Sequence, residues 1–261
     1  FIREPGSSIF HKFYFLGLCL FALAMPTSHV LMSVSLMGIS ANWLIEGRFR
    51  EKISKLTGNP AMLALLFIYF LHLAGLFWTE DFEYAILKDL KDKLPLLALP
   101  IIAGSSKPLK KQQSMIVAIF FAAGLLFASV YGVVSGLLNP ELPFRKLSPF
   151  ISHVYMSMMV VMGAVLLPWL GIEKHAGKKW LYAACLLAGW LVIYLLVLRS
   201  LTGLLILAGV VALVLIKILR TSHSFALRTA SLTALLLLPL AGAGVGWFMW
   251  GTLTRVHDPY L

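Results

Sequence analysis

Arg199 stands between two long apolar runs, Trp180 to Leu198 and Leu201 to Ile216, in the stretch LVLRSLTGLLIL. Joined, the runs are far too long for one crossing of a bilayer, which takes about 20 apolar residues. A guanidinium at the centre of a membrane costs about 2.5–3.5 kcal/mol on the lenient insertion scale. At the apex of a helical hairpin the same group reaches the water interface and costs little. The spacing therefore predicts two crossings joined by a tight turn at a membrane surface, with Arg199 and Ser200 at its apex. There the guanidinium offers a planar, permanently charged donor to an anion.

The rest of the composition agrees with a membrane location. Hydrophobic residues make up 60% of the chain and charged residues 13%, a balance that excludes an ordinary soluble domain. The apolar windows lack strand-like alternation, so they read as helices rather than barrel strands. The fold class expected is an all-α polytopic membrane protein with about nine transmembrane helices. Cys19 and Cys185 lie inside apolar segments and show no disulfide or metal spacing. The net charge of +11 points to anchoring at the cytoplasmic face rather than to nucleic acid. No signal peptide is read at the N-terminus. The chain starts at Phe1 and stops at Leu261 just after an apolar segment, and is expected to be the N-terminal part of a longer protein.

The apolar segments run approximately over 13–25, 28–45, 60–77, 94–105, 114–137, 151–170, 180–198, 201–217 and 229–250. Segment 94–105 contains Pro95 and Pro100 and is marginal for a full crossing. Basic residues recur in alternate connections. Arg48, Arg50, Lys52 and Lys55 share one, Lys107, Lys110 and Lys111 another, Lys174, Lys178 and Lys179 a third, and Lys217, Arg220 and Arg228 a fourth. All four fall on one side if each segment crosses, and the positive-inside rule makes that side cytoplasmic. The N-terminus is then cytoplasmic and the C-terminus periplasmic. Residues 82–94 are amphipathic at helical spacing and are expected to lie along the outer interface. Residues 1–261 form a single transmembrane helical domain on this reading, with no linker and no internal repeat.

All eleven acidic residues fall outside the confident spans. An ion-coupled transporter usually needs a carboxylate near the midplane. His72, the histidine well inside a span, reads as a helix–helix hydrogen-bonding residue. No metal, nucleotide or flavin motif is present. The chemistry-bearing residues gather instead on the outer side. Arg145 and Lys146 lie in NPELPFRKLSPFISH, His153 and Tyr155 open the next span, Arg199 and Ser200 form the hairpin apex, and Arg255 and His257 follow the last span. Each cation also has a plainer role as an interfacial anchor. Together they suit a pyrophosphate, because charge-assisted bonds to phosphate oxygens are strong and often bidentate.

Three stretches resemble the O-antigen ligase and O-antigen polymerase family, in its Bacteroidetes-type form: GLFWTEDFEYAILKDLKDKLPLLALPII, LSPFISHVYMSMMVVMGAVLL and LVLRSLTGLLILAGVVALVL. In the family the Arg is often preceded by Ser, whereas here Leu198 precedes Arg199. The resemblance spans essentially the whole chain, with the ligase/polymerase core over about 114–261. It implies a metal-independent glycosyltransferase of the bacterial inner membrane, with its active face periplasmic and no cofactor. Such an enzyme moves a glycan from undecaprenyl pyrophosphate to an acceptor sugar. In a ligase the acceptor is the lipid A–core oligosaccharide, and in a polymerase it is another lipid-linked repeat unit. Arg199 matches the Arg expected to hold the pyrophosphate. Arg255, Arg145 and His153 are its expected companions in substrate binding. The catalytic His of the family is expected beyond Leu261. The rival from a different class is a non-enzymatic lipid or polysaccharide carrier, which needs a polar path through the bundle.

Overall fold

The computed structural model describes residues 9–78, 90, 93–141, 143–173, 177–221, 229, 231–237 and 244. Among them the regular structure is helical throughout. The helices are α1 (Ile9–Ala24), α2 (His29–Glu46), α3 (Phe49–Thr57), α4 (Pro60–Gly75), α5 (Leu94–Ser105), α6 (Lys111–Leu138), α7 (His153–Glu173), α8 (Gly177–Leu198) and α9 (Leu201–Thr221). Short 3-10 turns occupy Leu76–Trp78 and Phe144–Leu147. Five stretches are long and apolar enough to cross a membrane: Pro60–Trp78, Lys111–Leu138, His153–Ile172, Lys178–Leu198 and Leu201–Thr221. The bent pair α2–α3 makes a sixth if it is one span. The chain is an all-α, multi-pass membrane protein.

The chain divides into two compact units, residues 1–121 and 122–261. In the first, α1 and α2 form a hairpin, and its Tyr14 and Ile39 share a core with Ile102 of α5. Ser28 caps α2 by accepting from the Leu31 amide at 3.2 Å, and Asn59 caps α4 ahead of Pro60, whose missing N–H costs nothing at a helix start. Helix α5 packs on α3 and α4. At 12 residues it is about 18 Å long at 1.5 Å per residue, short of a hydrocarbon core about 30 Å thick. Pro95 sits in its first turn and Pro100 inside it, and the helix persists through both.

In the second unit α7 and α8 form the most extensive pair, and α9 packs chiefly on α7. Small residues let these backbones approach. An added Cβ on Gly163 would lie 3.0 Å from Leu191 Cδ1 and would overlap Leu125, and one on Gly171 would lie 3.0 Å from the Ala184 Cβ. Close approach of this kind is what holds helices together where lipid is as apolar as their side chains.

Two expectations change. The basic connection holding Arg48 to Lys55 is not an irregular loop. It is helix α3, bent 115° from α2, and its Lys52 is buried rather than solvated. Among the described residues no bond is seen from His72 to a second helix. Its Nδ1 donates to the Ile68 carbonyl of its own helix at 2.8 Å, closing locally the bond that was expected to reach a neighbour. Segment 82–94, apart from residues 90, 93 and 94, lies outside the described residues, as do most of 229–250 and the whole of 245–261.

Candidate anion-binding end of the second unit

The junction between α8 and α9 is two residues long, Arg199 and Ser200. Arg199 is exposed and adopts φ 47°, the left-handed region, where a side chain normally costs about 1 kcal/mol relative to glycine. Its amide still donates to the Leu196 carbonyl at 3.2 Å, closing the end of α8. A glycine would make this turn without strain. Left-handed residues commonly end helices, usually as glycine, and here a long cationic side chain takes that place and is held there by the surrounding structure.

The surrounding structure is a chain of hydroxyls. The Gly203 amide approaches Ser200 Oγ at 3.5 Å, Ser200 Oγ donates to Ser157 Oγ at 2.8 Å, and Ser157 Oγ donates to the Val154 carbonyl at 2.7 Å. Ser200 is thus the N-cap of α9 and also the tie to α7. Both serines are buried, and each hydroxyl is satisfied. Gly203 permits the tie: a Cβ there would fall 2.6 Å from Leu195 Cδ1 and 2.7 Å from Ser157 Cβ. Ser157 stands one helical turn after His153, so the same tie brings the Arg199 turn to the end of α7 that His153 opens. His153 is half-buried at the first position of α7.

The connection from α6 to α7 is fastened to the same end. Tyr194 of α8, fully buried, donates from Oη to the Leu147 carbonyl at 3.0 Å. Ser148 Oγ donates to the Ile151 carbonyl at 2.6 Å, and Phe150 packs on Tyr131 with ring centroids 5.1 Å apart. The 3-10 turn Phe144–Leu147 so positioned contains Arg145 and Lys146, and Lys146 is exposed. The backbone of Arg145 lies in this turn, while its side chain is outside the described residues.

One end of the second unit therefore gathers Arg145, Lys146, His153 and Arg199. It also holds the N-termini of α7 and α9, whose free amides and dipoles favour negative charge. Of the four expected anion-binding residues, three fall at this end: Arg199, Arg145 and His153. The fourth, Arg255, and its neighbour His257 lie outside the described residues. Tyr155 is exposed on α7 and takes no part in the hydroxyl chain. Sequence reading missed Ser157 and Tyr194, which build the end without touching its surface. A serine in the apolar run MSMM, four residues after His153, was the available signal for the first. No family model, no curated protein and no solved structure matches the chain.

Proposed function

We infer that the chain is the membrane body of a glycosyltransferase that takes a glycan from a polyprenyl pyrophosphate. The substrate class suggested by resemblance is undecaprenyl-pyrophosphate-linked glycan, with a lipid A–core sugar as acceptor, as in an O-antigen ligase. On this reading about nine segments cross the bacterial inner membrane. The N-terminus is cytoplasmic, and the Arg199 end faces the periplasm.

The observation that carries the reading is the strained, exposed Arg199 at an apex built from buried hydroxyls. Cations and two helix N-termini at one membrane-proximal end suit a diphosphate whose isoprenoid tail stays in lipid. In the transfer, the acceptor hydroxyl oxygen bonds to the anomeric carbon as the anomeric carbon–phosphate oxygen bond breaks. The electron pair leaves on the pyrophosphate, and the hydroxyl proton passes to a base not assigned to any residue of this chain. Arg199, with Arg145 and His153, stabilises the charge that develops on the departing phosphate oxygen, an interaction stronger in the transition state than in the ground state. Arg255 is proposed as a further phosphate ligand from the resemblance alone.

The test is glycan transfer in membranes carrying the full-length protein. Arg199→Ala is expected to abolish transfer at normal membrane abundance, and Arg199→Lys to restore little, because a point charge cannot reproduce bidentate contact. Normal transfer by the Ala variant overturns the assignment.

A further inference from the structure

The first unit contains a second built feature, the elbow between α2 and α3. Gly47 at φ 65° and Arg48 at φ 54° turn the chain through 115°. The turn is locked from inside by Lys52. Its ammonium bridges Glu46 at 3.0 Å, donates to the Trp43 carbonyl at 2.6 Å and stands 4.5 Å from the Trp43 ring centroid. Phe49 packs edge-on against Trp43 at 5.5 Å, and Trp43 Nε1 donates to Ser105 Oγ at 2.8 Å. Helix α3 is therefore held across the axis of α2, not hung from it.

The faces of α3 are sorted for an interface. Lys52 and Leu56 turn inward, Phe49 and Ile53 are apolar and exposed side by side, and Arg50, Glu51 and Lys55 are exposed elsewhere on the helix. Such a helix dips its apolar stripe into the acyl boundary while its cations stay among headgroups. At the α2 side of the elbow a narrow cleft is lined by His11, Tyr14, Asn42, Glu46, Ser106 and Lys107, which places Lys107 near the end of α2. The packing of α3 on α5 brings Lys107, two residues past the end of α5, to the same end of the unit as Arg48, Arg50 and Lys55. An added Cβ on Gly104 would sit 2.8 Å from Leu56 Cδ1, which shows how closely the two helices approach there.

We propose that the α2–α3 elbow, with Lys107 beside it, binds an anionic phospholipid. The phosphate lies among Arg48, Arg50, Lys55 and Lys107, and the acyl chains lie against Phe49 and Ile53. Charge complementarity selects this occupant. The exposed cations outnumber the one exposed carboxylate of α3, Glu51, while Glu46 is already neutralised by Lys52. A polybasic surface of this kind attracts anionic headgroups by about fivefold in affinity per cation.

The experiment is native mass spectrometry of the purified chain titrated with dioleoyl phosphatidylglycerol or dioleoyl phosphatidylcholine. Phosphatidylglycerol is expected to bind more tightly, with the preference shrinking as salt rises. Arg48→Asn, Arg50→Gln, Lys55→Gln and Lys107→Gln together are expected to weaken phosphatidylglycerol by about a hundredfold or more, with phosphatidylcholine unchanged. Asn keeps the left-handed turn at position 48. Lys107→Gln alone, outside any helix, is expected to give about a fivefold loss, so a failure of the fourfold variant to fold does not remove the test. Equal binding of the two lipids by the wild type, or an undiminished preference in Lys107→Gln, overturns the proposal.

Discussion

Ser200 Oγ donates to Ser157 Oγ at 2.8 Å, and this bond joins the start of α9 to the first turns of α7. It fixes the place of Arg199 relative to His153 without either residue taking part. Removing one hydroxyl leaves its partner short of a bond in an apolar setting. Ser157→Ala and Ser200→Ala are each expected to cost on the order of 0.6 kcal/mol and at most about 1.7 kcal/mol, the average and the upper end for side-chain bonds between membrane helices. The double variant is expected to cost less than the sum, because both changes remove the same bond. Thermal unfolding of the detergent-purified variants in a double-mutant cycle measures the coupling.

Glycine positions on these helices divide by space. Gly203→Ala drives a methyl into Leu195 and Ser157 and is expected to destabilise by about 1–3 kcal/mol. Gly189 of α8 and Gly209 of α9 have nothing within 4 Å of an added methyl, so their change to Ala is expected to be neutral or to stabilise by up to about 1 kcal/mol. The same unfolding assay reads all three, and equal effects would contradict the close approach of α7 and α9.

The hydrogen bond from Tyr194 to the Leu147 carbonyl holds the 3-10 turn of Arg145 and Lys146 against α8. Tyr194→Phe preserves the ring and loses the bond, at about 1 kcal/mol. Hydrogen exchange of residues 144–151 is expected to quicken while the middle of α8 stays protected. Unchanged exchange in that segment would show that the turn does not depend on Tyr194.

The ion pair of Lys52 and Glu46 predicts asymmetric variants. Lys52→Met strands a largely buried carboxylate and is expected to cost about 3 kcal/mol, whereas Lys52→Met with Glu46→Gln recovers part of that loss. Thermal unfolding of the two variants side by side checks the order.

The parts of this fold that were legible in the sequence are those set by the cost of putting charge in lipid. Arg199 between two apolar runs has one inexpensive place, a hairpin apex, and the chain turns there. The left-handed backbone of Arg199 was not legible, because nothing in LVLRSLTG distinguishes a two-residue turn from a slightly longer one. Ser157 was hidden for a different reason. A serine within an apolar helix reads alike whether it faces lipid or a neighbour, since rotation about the helix axis is decided by packing. By sequence Lys52 is one of four cations, with Arg48, Arg50 and Lys55, in a basic connection that sets the cytoplasmic side, and composition cannot say which of four nearby cations turns inward to a carboxylate. His72 likewise had two bonding choices, and its Nδ1 takes the carbonyl one turn back.

The most direct measurement of the central claim is glycan transfer by Arg199→Gly, compared with its thermal stability. Glycine adopts the left-handed turn without strain, so the variant is expected to keep the turn between α8 and α9 and to fold as the wild type does. If the side chain is kept for pyrophosphate, that folded protein transfers no glycan. Wild-type transfer by Arg199→Gly would contradict the account.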